Sequence, residues 1–78
     1  MEKEPADSEI VVIREEPIAL YKFLKLGNLV MSGAEAKFVV SEGLVRVNGG
    51  VETQKGKKLF AGDTVEFQGE RIQVGLGD

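Results

Sequence analysis

Ser32-Gly33-Ala34-Glu35-Ala36-Lys37-Phe38-Val39-Val40-Ser41-Glu42-Gly43-Leu44-Val45-Arg46-Val47-Asn48-Gly49-Gly50 contains a helix start, a helix stop, a change of period and a tight turn in one continuous run. Ser32 to Glu35 reads as a capping box: the Ser32 hydroxyl accepts from the Glu35 amide, and the Glu35 carboxylate reaches back to the N–H of Ser32 itself. The helix it opens runs to about Glu42 and stops at Gly43. At helical spacing Ala36, Val39 and Val40 share one face, while Gly33, Lys37 and Ser41 share another that is small, polar and cationic. Phe38 falls between these faces, and the burial tendency of large aromatics assigns it to the core rather than to a nucleobase. After Gly43 the period becomes two, with Val45 and Val47 alternating with Arg46 and Asn48, and Asn48-Gly49-Gly50 signals a hairpin.

Upstream, Glu16 and Pro17 are expected to open an earlier helix, because proline loses nothing at the first helical position and Glu suits the positive helix end. Gly27 closes it. Ala19, Leu20, Phe23, Leu24 and Leu26 form its apolar arc, and Lys22 and Lys25 lie on the opposite side beside Ile18, facing solvent. Ile10 to Ile13 is too short for a stable helix and β-branched enough for a strand. Met1 to Ser8 is polar, acidic and carries Pro5, so it is expected to form a flexible acidic tail, leaving 9–78 as a single domain with an added amino-terminal strand. Downstream, Gly56 and Gly62-Asp63 punctuate the chain. Val65 and Phe67 alternate with Glu66, and Gln68-Gly69-Glu70 turns into Ile72 and Val74. The expected class is α+β: a helical hairpin packed on a small, mostly antiparallel β-sheet.

Composition narrows what such a domain does. The chain has 78 residues, no cysteine and no histidine. It therefore has no disulfide framework, no thiolate or imidazole metal site, no cysteine nucleophile and no histidine proton shuttle. A domain this small buries only about 60% of the surface its unfolded chain exposes, so any binding site is expected to be superficial. No apolar run approaches the roughly 20 residues that span a bilayer, and the acidic start does not resemble a signal peptide. The expectation is a soluble, cytoplasmic monomer with no membrane partner, no cofactor and no catalysis. Asp63 in Gly62-Asp63 is better explained as a turn residue than as a general base.

The net charge of −3 argues against a nucleic-acid partner until its distribution is read. Met1 to Glu16 carries −4, Pro17 to Lys58 carries +4 and Leu59 to Asp78 carries −3, so the middle is a basic island between acidic flanks. Its bases are Lys22 and Lys25 on the first helix, Lys37 on the second, Arg46 on a strand, and Lys55, Lys57 and Lys58 in one loop. Singly, each is as readily an ordinary solvated side chain. Together they form one cationic patch only if the helices pack beside the hairpin. The start of the second helix adds Ser32 and Gly33, where backbone N–H groups are open to a phosphate, although capping alone already explains Ser32.

The run Leu20 to Leu24, Gly27, Ser32-Gly33-Ala34-Glu35-Ala36-Lys37, Glu42-Gly43, Val45-Arg46-Val47-Asn48-Gly49 and Gly62-Asp63-Thr64-Val65 resembles the S4 RNA-binding domain, named for the fourth protein of the small ribosomal subunit. More narrowly, Phe23-Leu24-Lys25-Leu26, Glu52-Thr53, Gly56-Lys57-Lys58 and Ala61-Gly62-Asp63 resemble its small stand-alone bacterial members of the YbcJ and YaaA type. The resemblance covers roughly residues 17–67. It implies an alpha-L helical hairpin that meets structured RNA, ribosomal or transfer, in ribosome maturation or association. It also implies that Ser32, Gly33 and Lys37 stand against phosphates, with Lys25, Arg46, Asn48, Lys55, Lys57 and Lys58 as the surrounding surface; the charge distribution adds Lys22 to the candidate RNA-binding residues. Larger S4 domains usually carry arginine where this chain has Gly33. Lysine is a point charge without arginine's two-pronged donor, so geometric selectivity is expected to be lower.

Aromatic platforms look scarce, because Tyr21, Phe23, Phe38, Phe60 and Phe67 mostly fall in apolar phases; readout of shape is therefore favoured over stacking. Asn48 is expected to serve first as a turn residue. Two rival readings are an accessory subunit that meets a protein partner through its acidic flanks, and a ubiquitin-like sulfur carrier. Such carriers end in an exposed Gly-Gly, whereas this sequence closes on Gly75-Leu76-Gly77-Asp78.

Overall fold

The computed structural model describes residues 9–77. The acidic stretch Met1 to Ser8, expected as a flexible tail, lies outside them. Seven strands and two helices follow in order: β1 (Glu9–Ile13), β2 (Ile18–Ala19), α1 (Leu20–Leu26), α2 (Gly33–Ser41), β3 (Val45–Val47), β4 (Gly50–Val51), β5 (Lys58–Leu59), β6 (Thr64–Phe67) and β7 (Glu70–Leu76). Five strands make one sheet in the order β1-β7-β6-β3-β4, and β2 with β5 makes a two-stranded ribbon. All pairings are antiparallel except β1 on β7, the added strand, which is parallel.

Alternation decides which face of the sheet is buried. Val45 and Val47, Val65 and Phe67, and Ile72 and Val74 point inward and meet Leu20, Phe23 and Leu24 of α1 and Ala36, Val39 and Val40 of α2 in one apolar core. Gly27 closes α1 against the sheet: a Cβ there would come within 2.5 Å of Ile72 Cδ1, so the close approach requires glycine. Among the described residues no polar or charged side chain is buried. No helix among them is long and apolar enough to cross a membrane.

The hairpin turns match their chemistry. Asn48 and Gly49 both take positive φ (53° and 88°), as do Gln68 and Gly69 (54° and 81°), which is the backbone that two-residue antiparallel hairpins favour.

The start of the first helix departs from the sequence expectation. Pro17 does not open it: Ile18 and Ala19 are extended and pair with Leu59 and Lys58, so α1 begins only at Leu20. Glu16 turns elsewhere, its carboxylate accepting from the Ala61 N–H at 2.8 Å. Ala19 accordingly lies outside the helix, and Leu26 is 50% exposed rather than part of the buried arc. At 100° per residue Leu26 stands about 120° from Leu20, beyond the edge of the stripe that the sheet covers.

Leu24 is fully buried. Leu24→Ala is expected to destabilise the domain by about 2–5 kcal/mol, a large share of the total for so small a fold. Urea denaturation measures this, and a wild-type midpoint would contradict the placement of Leu24 in the core.

Candidate nucleic-acid interface

Helix α1 has no side-chain cap, since Ala19 stands at its N-cap position. Its first N–H groups are satisfied instead by the lysine-rich loop: Leu20 N–H donates to the Lys57 carbonyl at 2.8 Å and Tyr21 N–H to the Lys55 carbonyl at 3.1 Å. Lys58 continues the loop into β5, opposite Ala19. The backbone of all three loop lysines is thereby fixed at the start of α1, where Lys22 occupies the first turn; Lys25 follows in the last turn.

Helix α2 packs beside α1 and brings Lys37 to the same place. The Lys37 ammonium lies 4.9 Å from the centroid of the Tyr21 ring, a cation–π contact that ties α2 to the residue bonded to Lys55. Lys37 and Lys55 then line one open concavity together with Phe38, Ser41 and Thr53. Lys22, Lys25, Lys37, Lys55, Lys57 and Lys58 are all exposed. None of these lysines is paired with a carboxylate among the described residues.

Arg46 is placed differently. It alternates outward between buried Val45 and Val47, so it stands on the sheet face away from the helices, cross-strand from Glu66 and Val51. Asn48 is occupied in the fold. Its Nδ2 donates to Asp63 Oδ1 at 3.1 Å, and its Oδ1 accepts from the Thr64 N–H at 2.9 Å. The other Asp63 oxygen accepts from the Phe60 N–H at 2.8 Å, so Asp63 too is a turn residue.

At the start of α2, Ser32 Oγ accepts from the Glu35 N–H at 3.1 Å, as the capping box requires. The reciprocal bond differs from the expected one: Glu35 Oε1 accepts from Met31 N–H at 2.9 Å, one residue upstream of Ser32. The Gly33 and Ala34 N–H groups have no partner among the described residues, and a Cβ at Gly33 would meet nothing within 4 Å. Glycine at 33 thus leaves this helix end open to approach without being required by packing.

Phe38 corrects a sequence expectation. It is 61% exposed and belongs to the concavity, not to the core. The helical period already contains the signal: Phe38 lies about 200° around α2 from buried Ala36, close to the opposite side of the helix. Residue-type tendency is the weaker guide. Tyr21, half-buried and under Lys37, is a second residue that charge alone does not reveal.

Comparison with known proteins places this geometry among relatives. A family model of the S4 domain matches residues 11–75. The chain is 47% identical over 57 residues to YbcJ of Escherichia coli (strain K12), covering 73% of this chain and 81% of that protein. It is 42% identical over 59 residues to RlbA of Bacillus subtilis (strain 168), which bears the name of a ribosome maturation protein, covering 76% and 83%. The solution structure of E. coli YbcJ, described as having an alpha-L motif involved in RNA binding, superposes with a TM-score of 0.70 at 38% identity over 96% of both chains. The 30S ribosomal protein S4e from Thermoplasma acidophilum shares the fold at a TM-score of 0.59 and 23% identity, over 77% of this chain and 32% of that one.

Substitution tests the Asn48 network. Asn48→Ala removes its hydrogen bonds and puts alanine at positive φ, so the domain is expected to lose about 1–3 kcal/mol. Asn48→Gly removes the same bonds without the backbone strain and is expected to lose less. Thermal melts of the two variants check the order, and an Asn48→Ala variant as stable as the parent would refute the structural role.

Proposed function

The chain belongs to the S4 domain family, and the S4 domain is a binding module; from that premise we propose that it binds structured RNA, ribosomal or transfer, through the lysine face shared by α1, α2 and the loop ahead of β5. The observation that carries this reading is the capping of α1 by the Lys55 and Lys57 carbonyls, which places loop lysines beside the helix that Lys37 contacts through Tyr21. Six exposed lysines from three segments then serve one polyanion, while the overall charge stays at −3.

Lys37 and Lys55 form the centre, with Lys22, Lys25, Lys57 and Lys58 around them and the open N–H groups of Gly33 and Ala34 at the start of α2 receiving a phosphate. Ser32 serves this end by holding the first turn, and Asn48 by holding the loop before β6. Arg46, on the other face of the sheet, meets only an RNA large enough to wrap the edge. Folded RNA presents phosphates and 2′-hydroxyls at fixed spacing, which a rigid cationic face reads by shape. Similarity to a protein named for ribosome maturation favours a ribosomal particle or its precursor as the source of that RNA.

Counterion release gives the test. With about four phosphates neutralised, affinity for a labelled ribosomal-RNA hairpin is expected to fall roughly 100-fold between 50 and 200 mM salt. Combining Lys37→Glu with Lys57→Glu is expected to weaken binding and flatten the logarithmic salt slope by about 2, with circular dichroism still native. Affinity that ignores salt, or a double variant that binds as the parent does, would sink the assignment.

A further inference from the structure

We propose that the concavity between α2 and the segment leading to Lys55 seats one unpaired RNA base, stacked on Phe38, with the neighbouring phosphates held by Lys37 and Lys55; this rests on the RNA-binding reading and extends it from shape to a particular nucleotide position. A single exposed apolar side chain needs no explanation by itself. Phe38 differs in its surroundings. It opens into a concavity of about 370 Å³, within the range that accommodates small ligands, and its companions in the lining are two lysines and two hydroxyls, with no carboxylate.

An aromatic face beside cations is the combination used to hold unpaired nucleic acid, because every base has a π face and every nucleotide a phosphate. A purely apolar protein side chain would match Phe38 but would desolvate the lysines without compensation. A nucleotide matches both.

The local bonding keeps the seat open. Lys37 lies over Tyr21, so its ammonium is held at the rim and is not folded over Phe38. Ser41 donates its hydroxyl proton to the Phe38 carbonyl at 2.9 Å, which leaves its oxygen lone pairs as acceptors for a base N–H. Thr53 supplies a second hydroxyl across the concavity. Ser41 offers an acceptor and the Thr53 hydroxyl can donate or accept, so the seat is expected to tolerate any base while requiring that it be out of the stack. Unpairing is least costly where the RNA already has a bulge, which makes a bulged nucleotide in a helical stem the expected target.

The test compares a blunt, fully paired RNA duplex with the same duplex carrying one bulged nucleotide, titrated by fluorescence anisotropy. The parent chain is expected to favour the bulged duplex by about 10-fold, in line with the worth of one base on an aromatic platform. Phe38→Leu keeps an apolar side chain at an exposed position and is expected to bind both duplexes alike. Phe38→Trp is expected to keep the preference. Because the chain has no tryptophan, the indole emission of that variant reports stacking directly and is expected to be quenched by the bulged duplex alone. A Phe38→Leu variant that retains the preference overturns the seat, as does indole emission of the Phe38→Trp variant that is unmoved at saturation. Weakening by Lys37→Glu but not by Phe38→Leu would leave the RNA-binding reading standing and overturn the base seat. Failure of the parent chain to bind either duplex would overturn the RNA reading itself.

Discussion

Two backbone hydrogen bonds, from Leu20 to the Lys57 carbonyl and from Tyr21 to the Lys55 carbonyl, organise this molecule. A seven-residue helix is too short to persist by itself, and α1 has no side chain at its start to satisfy its orphan N–H groups. A distant loop must supply the acceptors. Once it does, the loop cannot leave the helix, and its lysines remain beside Lys22. Lys55 and Lys57 are therefore held beside α1 by backbone satisfaction and not by any attraction of their charges. Like charges in water repel by only about 1 kcal/mol at 4 Å and are screened by salt, comparable to the net worth of one hydrogen bond.

The acidic residues show the same economy in reverse. Glu16 holds the Ala61 N–H, Asp63 holds Phe60 and Asn48, Glu35 holds Met31, and Glu66 pairs with Arg71 at 2.6 Å. Each of these four carboxylates is committed to turning or tying the chain. The lysines of the middle segment are in no ion pair among the described residues, and the charge of Lys37 rests on the Tyr21 ring instead. Among the described residues the core is wholly apolar, so their polar and charged side chains are displaced to the surface.

What can be read from the residues follows the range of the interactions involved. The Ser32 cap, the glycine stop of α2, the Asn48-Gly49 turn and the alternation through Val45, Val47, Val65 and Phe67 are decided within a few residues and are legible. The start of α1 is not, because it depends on pairing between Ile18-Ala19 and Lys58-Leu59, which no local rule supplies. Pro17 supports a helix start by propensity and is overruled by that pairing. Phe38 is a different kind of miss: its phase on α2 points outward, and a preference based on residue type runs against that geometry. The convergence of Lys37 with Lys55 lies beyond sequence altogether, since it needs both the α1 cap and the Tyr21 contact.

A surface of lysines has little angular discrimination, because an ammonium is a point charge on a flexible stem. In the proposed complex, selectivity comes from groups carried on a rigid backbone: the N–H groups of Gly33 and Ala34, which have no partner among the described residues, and Phe38 on the same helix. They are separated by four to five residues of rigid helix, about 6–8 Å along the axis. Buried Ala36, Val39 and Val40 clamp that helix against the sheet, so the offset between the phosphate end and the aromatic platform is fixed by the core. In the proposed complex, lysines supply attraction without specifying orientation, and the single packed helix selects RNA shapes that present a phosphate and a free base at the matching separation.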